Sequence, residues 1–193
     1  MSDSYHHGNL RQALIDAGIK IINENGEAGL SLRKVAALCD VSHAAPYAHF
    51  KDKDELIKAI KEKVTSDFMA ELQKAVDSGS DAKESLVNLG QSYVSFFLRK
   101  PDYFKFLFSN LNIVAHLRTD KEFKEDYPPF VLLKRTYFNY LNENKIKQSR
   151  EEQEIDLLML WAHVHGLASI ACMSGVEVSF DWDKMLSEGI LVN

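Results

Sequence analysis

Residues 31–50 read SLRKVAALCDVSHAAPYAHF, and the spacing inside this run decides the fold. Ser31 is a good N-cap, because its hydroxyl can accept from a free N–H of a first helical turn. Leu32, Val35, Ala36 and Cys39 follow at i, i+3, i+4 and i+7, one apolar helical stripe, so a short helix is expected to about Cys39. Asp40-Val41 reads as a tight turn. Asp40 is expected in the left-handed conformation, which Gly adopts freely and Asp is among the few residues to tolerate. Ser42 is expected to cap a further short helix to about Phe50, and small Ala36 lets that helix approach closely. Its outward face offers His43, Ala44, Ala45, Tyr47, Ala48 and His49, with no acid among them. A recognition helix lays such residues against base edges in the major groove. The same pattern also fits, less well, an interhelical corner of a helical bundle.

The side chains divide by chemistry. Ala44 and Ala45 are small enough for a helix to sit deep, and their methyls can meet thymine methyls. His43 can donate to a base edge or a phosphate, and Tyr47 offers a hydroxyl at phosphate height. Lys51 and Lys53 flank the start of the next helix, where free N–H groups and a positive dipole end attract phosphate. Such contacts fix register without reading sequence. Pro46 is awkward: it removes the first helical hydrogen bond and disfavours helical geometry at Ala45. The first turn is therefore expected to be tightened, or the helix to start a residue or two late.

Outward from this run the chain reads as helix throughout. Asn9 caps a stripe through Leu10, Leu14, Ala17 and Ile21, stopped at Asn25-Gly26 with Gly26 suited to a left-handed C-cap. Asp52 opens a long helix ending near Asp77-Ser78-Gly79-Ser80. Asp81 caps a helix to about Lys100, and Pro101 starts an aromatic-rich one, at the position where its missing N–H costs nothing. Residues 112–119 suit one more turn or two. Pro128-Pro129 begins a helix to about Asn144, and Ser149 with Glu152 forms a capping box for another to about Met173. Asp181 or Asp183 caps a last short helix. Residues 176–179 are the only strand-like run.

Composition bounds the function. The 46% hydrophobic and 26% charged residues are those of an ordinary globular protein. The net charge of −5 means that any positive potential for DNA must be local. Cys39 and Cys172 lie in apolar runs and read as buried reduced thiols; no disulfide framework or zinc quartet is available. His6 and His7 lack a fixed third ligand, so no metal or cofactor is expected. No basic, Leu-rich leader opens the sequence, so secretion is not expected and the location reads as cytoplasmic. Residues 155–173 are nearly apolar, but Asp156, His163, His165 and Ser169 interrupt them, so a buried or interface helix is expected rather than a membrane span.

Residues 30–37, then Val41-Ser42, then residues 47–56 (YAHFKDKDEL) resemble the N-terminal domain of the TetR family. The opening YHHGNLR at 5–11, the run SHAAPY at 42–47, and Trp161 followed by His165-Gly166-Leu167-Ala168-Ser169 resemble a subgroup whose C-terminal half is called a WHG domain. The resemblance implies an all-α, TetR-like fold. A three-helix helix-turn-helix domain over 5–60 is followed by an antiparallel helical effector-binding and dimerisation domain over 61–193. It implies a homodimer on double-stranded operator DNA, released by an unknown small-molecule effector, with the last two long helices forming a four-helix interface. The DNA-binding set it suggests is Ser31, Arg33, Ser42, His43, Ala44, Ala45, Tyr47, His49, Lys51 and Lys53. Three departures stand out: Asp40 replaces the family's usual Gly, Pro46 its usual aliphatic residue, and Ala48 a residue often basic.

The C-terminal half crowds aromatic residues into a few helices. Core and dimer packing is the plain reading. An aromatic-lined pocket for an apolar or planar effector is the functional one. Phe97, Phe104, Phe108, Tyr137, Trp161 and His165 are the candidate lining. His163 and His165, two apart on a helix, point in different directions, so at most one is expected to line a given pocket. Neither belongs to a nucleophile–base set or a metal quartet, so an enzyme is not expected. The remaining alternative is a helical ligand-binding adaptor that keeps the fold without DNA binding.

Overall fold

The computed structural model describes residues 10–108, 113–120 and 124–188, and all regular structure in them is helical. The α-helices are α1 (Leu10–Asn25), α2 (Leu32–Leu38), α3 (Lys53–Asp77), α4 (Ala82–Arg99), α5 (Pro101–Phe108), α6 (Pro128–Glu143), α7 (Arg150–Ala171) and α8 (Trp182–Ser187). Short 3-10 turns cover Glu27–Gly29 and Ala45–Ala48. The proposed Asn9 cap and the arm before it lie outside the described residues.

The caps explain most boundaries. Ser31 Oγ accepts from Lys34 N at 3.3 Å, and Asp81 Oδ1 from Glu84 N at 2.7 Å. Ser149 and Glu152 form the reciprocal capping box, and Asp181, not Asp183, caps α8. Helix α2 ends in a Schellman motif. Asp40 has φ 53, Val41 N donates to Ala36 O at 3.1 Å, and Asp40 N to Ala37 O at 3.3 Å. Gly26 differs from expectation. Its φ of 67 is positive but its ψ is 175, an extended conformation that only glycine adopts readily, not a left-handed helical cap.

One suggested helix is absent among the described residues. Residues 113–118 form no helix, because their polar groups bond elsewhere. His116 N and Nδ1 both bond buried Asp126 Oδ1, at 2.9 and 2.6 Å, and Lys134 Nζ holds the carbonyls of His116 and Arg118. The strand-like residues 176–179 are exposed coil.

The chain folds as two compact units. Of the described residues, the first holds 10–66 together with 105–108; the second holds 67–104, 113–120 and 124–188. Helices α3 and α5 belong to both. In the first unit Leu14, Val35, Ala36, Leu56, Ile60 and Val64 are fully buried. Gly18 of α1 allows close approach there, since a Cβ on it would stand 2.5 Å from Ile60 Cδ1. In the second, α4 packs on α6, α7 and α8, and its core is aromatic. Phe68, Phe96 and Phe97 are fully buried, with ring centroids 4.7 to 5.1 Å apart. Each of these aromatic pairs adds about 0.5–1.5 kcal/mol beyond the area it buries.

Candidate nucleic-acid interface and cavity

The segment after α2 is a single 3-10 turn, not the expected longer helix. An α-turn from Ser42 would need the residue-46 N–H to reach the Ser42 carbonyl, and Pro46 has none. Ala45 N donates to Ser42 O instead, at 3.0 Å, so Ser42 serves through its backbone and not as a side-chain cap. The late, tightened start anticipated from Pro46 is what the turn shows. Two anchors hold it: Pro46 is buried, and Phe50 is 1% exposed with the Arg11 guanidinium 5.2 Å above its ring. The opposite side is free. Ser42, His43, Ala44 and Ala48 are exposed and Tyr47 is 57% exposed, while Ala45 and His49 are half-buried.

The flanking candidates separate. Arg33 and Lys51 are exposed and available to phosphate. Ser31 is half-buried by its capping role. Lys53, half-buried, donates from Nζ to Glu27 O at 3.2 Å, and Lys34 Nζ donates to Gly29 O at 2.9 Å. These two lysines tie the 3-10 turn after α1 to α3 and α2; sequence spacing gave no sign of either tether. The expected free N–H groups at the start of α3 are also engaged. Asp52 Oδ1 accepts from Glu55 N at 3.0 Å, and Glu55 Oε2 accepts from Lys51 N at 2.6 Å. Between Val41 and Lys51 no acidic side chain occurs, and exposed Asp40 and Asp52 bound this acid-free stretch.

The second unit holds a cavity of about 290 Å³ among α3, α4, α6 and α7. Its wall includes Tyr93, Tyr127, Phe130, Tyr137, Tyr140 and Trp161, with Leu72, Leu86 and Leu160 between the rings. Tyr137 and Trp161, two of the candidate lining residues, are on it. Phe97, Phe104 and His165 lie instead in an aromatic cluster, with Phe104 5.1 Å from Phe97 and 5.0 Å from His165 between ring centroids. Phe108 belongs to the first unit. His163, not His165, faces the cavity, in keeping with their different directions. Tyr93 OH and His165 Nδ1 are 3.0 Å apart. Burial raises the Tyr93 pKa well above that of a free phenol, and burial lowers that of His165. The phenol therefore keeps its proton, and a hydrogen bond joins its oxygen to Nδ1 of the imidazole.

Sequence reasoning missed Asp156, which lines the cavity from α7. Its Oδ2 accepts from Tyr137 OH at 2.8 Å and from Gln148 Nε2 at 2.7 Å, and Tyr137 OH is also 2.6 Å from Gln148 Oε1. Burial, then the hydrogen bond to Asp156, raises the Tyr137 pKa, so this phenol too stays a donor. Its one sequence signal was a lone acid inside an apolar run. Both cysteines are free and half-buried rather than fully buried, and burial raises both thiol pKa values. Among the described residues no cluster of ligating side chains could hold a metal, and no helix is long and apolar enough to cross a membrane.

Residues 14–60 match the family of bacterial regulatory proteins of the tetR type. The chain is 34% identical over 73 residues to the HTH-type nicotine-responsive transcriptional repressor HdnoR of Paenarthrobacter nicotinovorans, a match spanning 38% of each protein. Among solved structures, a protein of unknown function from Rhodococcus sp. RHA1 is 26% identical with a TM-score of 0.74, covering 97% of this chain and 94% of its own. A TetR-like transcriptional regulator from the same strain is 16% identical with a TM-score of 0.60, covering 93% and 92%. The fold is thus that of TetR-like regulators, and the matched family and repressor are regulators of transcription, not enzymes.

Proposed function

We infer that this chain is a TetR-family transcriptional regulator, a repressor that binds operator DNA through the 3-10 turn at Ala45–Ala48 and the residues around it. The observation that carries this is the exposed, acid-free surface of Ser42, His43, Ala44 and Tyr47, held by buried Pro46 and Phe50. Arg33 and Lys51 supply phosphate contacts, and Ala44, His43 and Tyr47 approach the bases and backbone. Trp161 with the run at 165–169 supports the WHG-type subgroup.

The protein acts as a homodimer. Helix α7 is apolar along most of its length, yet only Leu157 and Ala168 are buried in it. Ile155, Leu158, Met159 and Ile170 are exposed along one stripe, and a second copy would cover it. The cavity is the effector site. Leu72 at the far end of α3 is on its wall, and α3 begins at Lys53 beside the DNA-binding turn. A ligand that repositions the end of α3 changes the DNA-binding unit through a helix common to both.

Titrating the full-length protein against its own upstream DNA, by anisotropy at several salt concentrations, tests the reading. A sequence-dependent affinity with a steep salt slope is expected, each phosphate-bound cation adding about 0.9 to the slope's magnitude. A flat, sequence-blind response would leave a helical adaptor without DNA binding.

A further inference from the structure

We propose that the cavity selects a small organic monocation, a protonated amine on an apolar or aromatic body, with Asp156 as its counter-charge. The proposal rests on reading this cavity as the effector site. Charge is the first argument. Among the described residues no Lys or Arg lines the cavity, and Asp156 is its one carboxylate. A ligand ending in a carboxylate or phosphate would bring like charge to that wall, with His163 the one basic side chain there to meet it.

Hydrogen-bond accounting is the second. Tyr137, Gln148 and Asp156 form an acceptor-rich cluster at the wall. Tyr137 has one hydroxyl proton and two acceptors within reach, Gln148 Oε1 at 2.6 Å and Asp156 Oδ2 at 2.8 Å, so one of them always goes without it. Asp156 Oδ1 accepts no hydrogen bond among the described residues. Turning the Gln148 amide over does not help, since its oxygen would then face the carboxylate oxygen now 2.7 Å from Nε2. Asp156 is half-buried and lines the cavity, so a donor arriving from the cavity side can reach this cluster, and an ammonium supplies both the N–H and the opposite charge.

The remaining walls suit such a ligand. Trp161, Tyr127, Phe130 and Tyr140 are on them, and an aromatic ring attracts a cation placed over its face. The volume of about 290 Å³ is at the small end of ligand sites and limits the body to one or two rings.

Three probes with the same phenylpropyl body test the charge directly: 3-phenylpropylamine, 3-phenylpropan-1-ol and 3-phenylpropanoate. Each is titrated calorimetrically into the full-length protein at pH 7. The amine is expected to bind about tenfold or more tighter than the alcohol, with the acid weakest. In Asp156→Asn the amine's advantage over the alcohol should shrink to about two- or threefold. An alcohol or acid that binds as well as the amine, or an advantage that survives in Asp156→Asn, overturns the proposal. If the alcohol and acid bind and Trp161→Leu weakens both, the cavity remains a ligand site and only the charge selectivity fails. If no probe binds, the effector-site reading fails with it. Should Asp156→Asn melt too low to assay, the order of the three probes on the wild-type protein decides alone.

Discussion

At the residue scale, backbone conformation gives the sharpest expectations. Gly26 sits at φ 67, ψ 175, and a Cβ added there would touch nothing within 4 Å, so any penalty for Gly26→Ala is purely conformational. A loss of about 1–3 kcal/mol in urea unfolding is expected; an unchanged midpoint would mean that the turn relaxes freely. Asp40→Gly should act in the opposite sense. Asp40 already holds a left-handed angle that glycine adopts without strain, so a gain of up to about 1 kcal/mol is expected, with the Schellman bonds intact. Both positions were legible as turns, but only Asp40 in the right conformation. The sequence shows that a glycine stops a helix, not which positive-φ region it enters. His165 carries a pH expectation. Burial lowers its pKa below the unfolded value of about 6.5, so near that pH the unfolded chain binds the proton more readily. Stability should therefore fall as pH drops through about 6.5, and the fall should be shallower in His165→Gln, whose amide oxygen can still accept from Tyr93. Equal pH slopes for the two proteins would remove His165 from the account.

At the element scale, what was legible follows from what caps a helix locally. Ser31, Asp81, Ser149 and Asp181 fix their helix starts with side chains three residues or fewer from the N–H they satisfy, and their spacing is visible in the chain. The turn at Ala45–Ala48 was legible as part of a helix pair but not as a 3-10 turn of four residues. Its length depends on the proton that Pro46 lacks and on the burial of Pro46 and Phe50 against residues distant in sequence. Lys53 shows the same limit. Its position next to the turn suggested a phosphate contact, whereas its Nζ reaches the Glu27 carbonyl, 26 residues away in the chain. Lys51→Ala and Lys53→Ala should consequently part company. The first should flatten the salt dependence of operator binding by about 0.9 in slope with little change in melting temperature. The second should lower the melting temperature, because it releases the turn after α1 from α3. If Lys53→Ala melts like the wild type and only flattens the salt slope, Lys53 is a phosphate ligand and its tether is incidental.

At the scale of the whole molecule, the unanswered surface is on α7. The helix was legible from its capping box and its length, and its apolar character excluded a solvent-facing role; which residues it buries within its own chain was not, since that depends on how α4 and α6 meet it. Ile155 is 52% exposed and Leu158 46%, on the side of the helix turned away from fully buried Leu157. Covering such side chains in a symmetric pair removes them from water at about 25 cal/mol per Å², whereas charge at the same positions would be desolvated on association and would repel its symmetry mate. Ile155→Lys combined with Leu158→Lys should therefore leave each chain folded, because both positions are open in the single chain, yet convert a dimer to a monomer in sedimentation velocity. A monomer can occupy only one half-site, so operator affinity should drop by about two orders of magnitude or more through lost avidity, even though every residue of the Ala45–Ala48 turn is unchanged. A doubly substituted protein that still sediments as a dimer would place the interface elsewhere. One that is monomeric but binds the operator at full strength would show that DNA recognition by this chain does not need two copies.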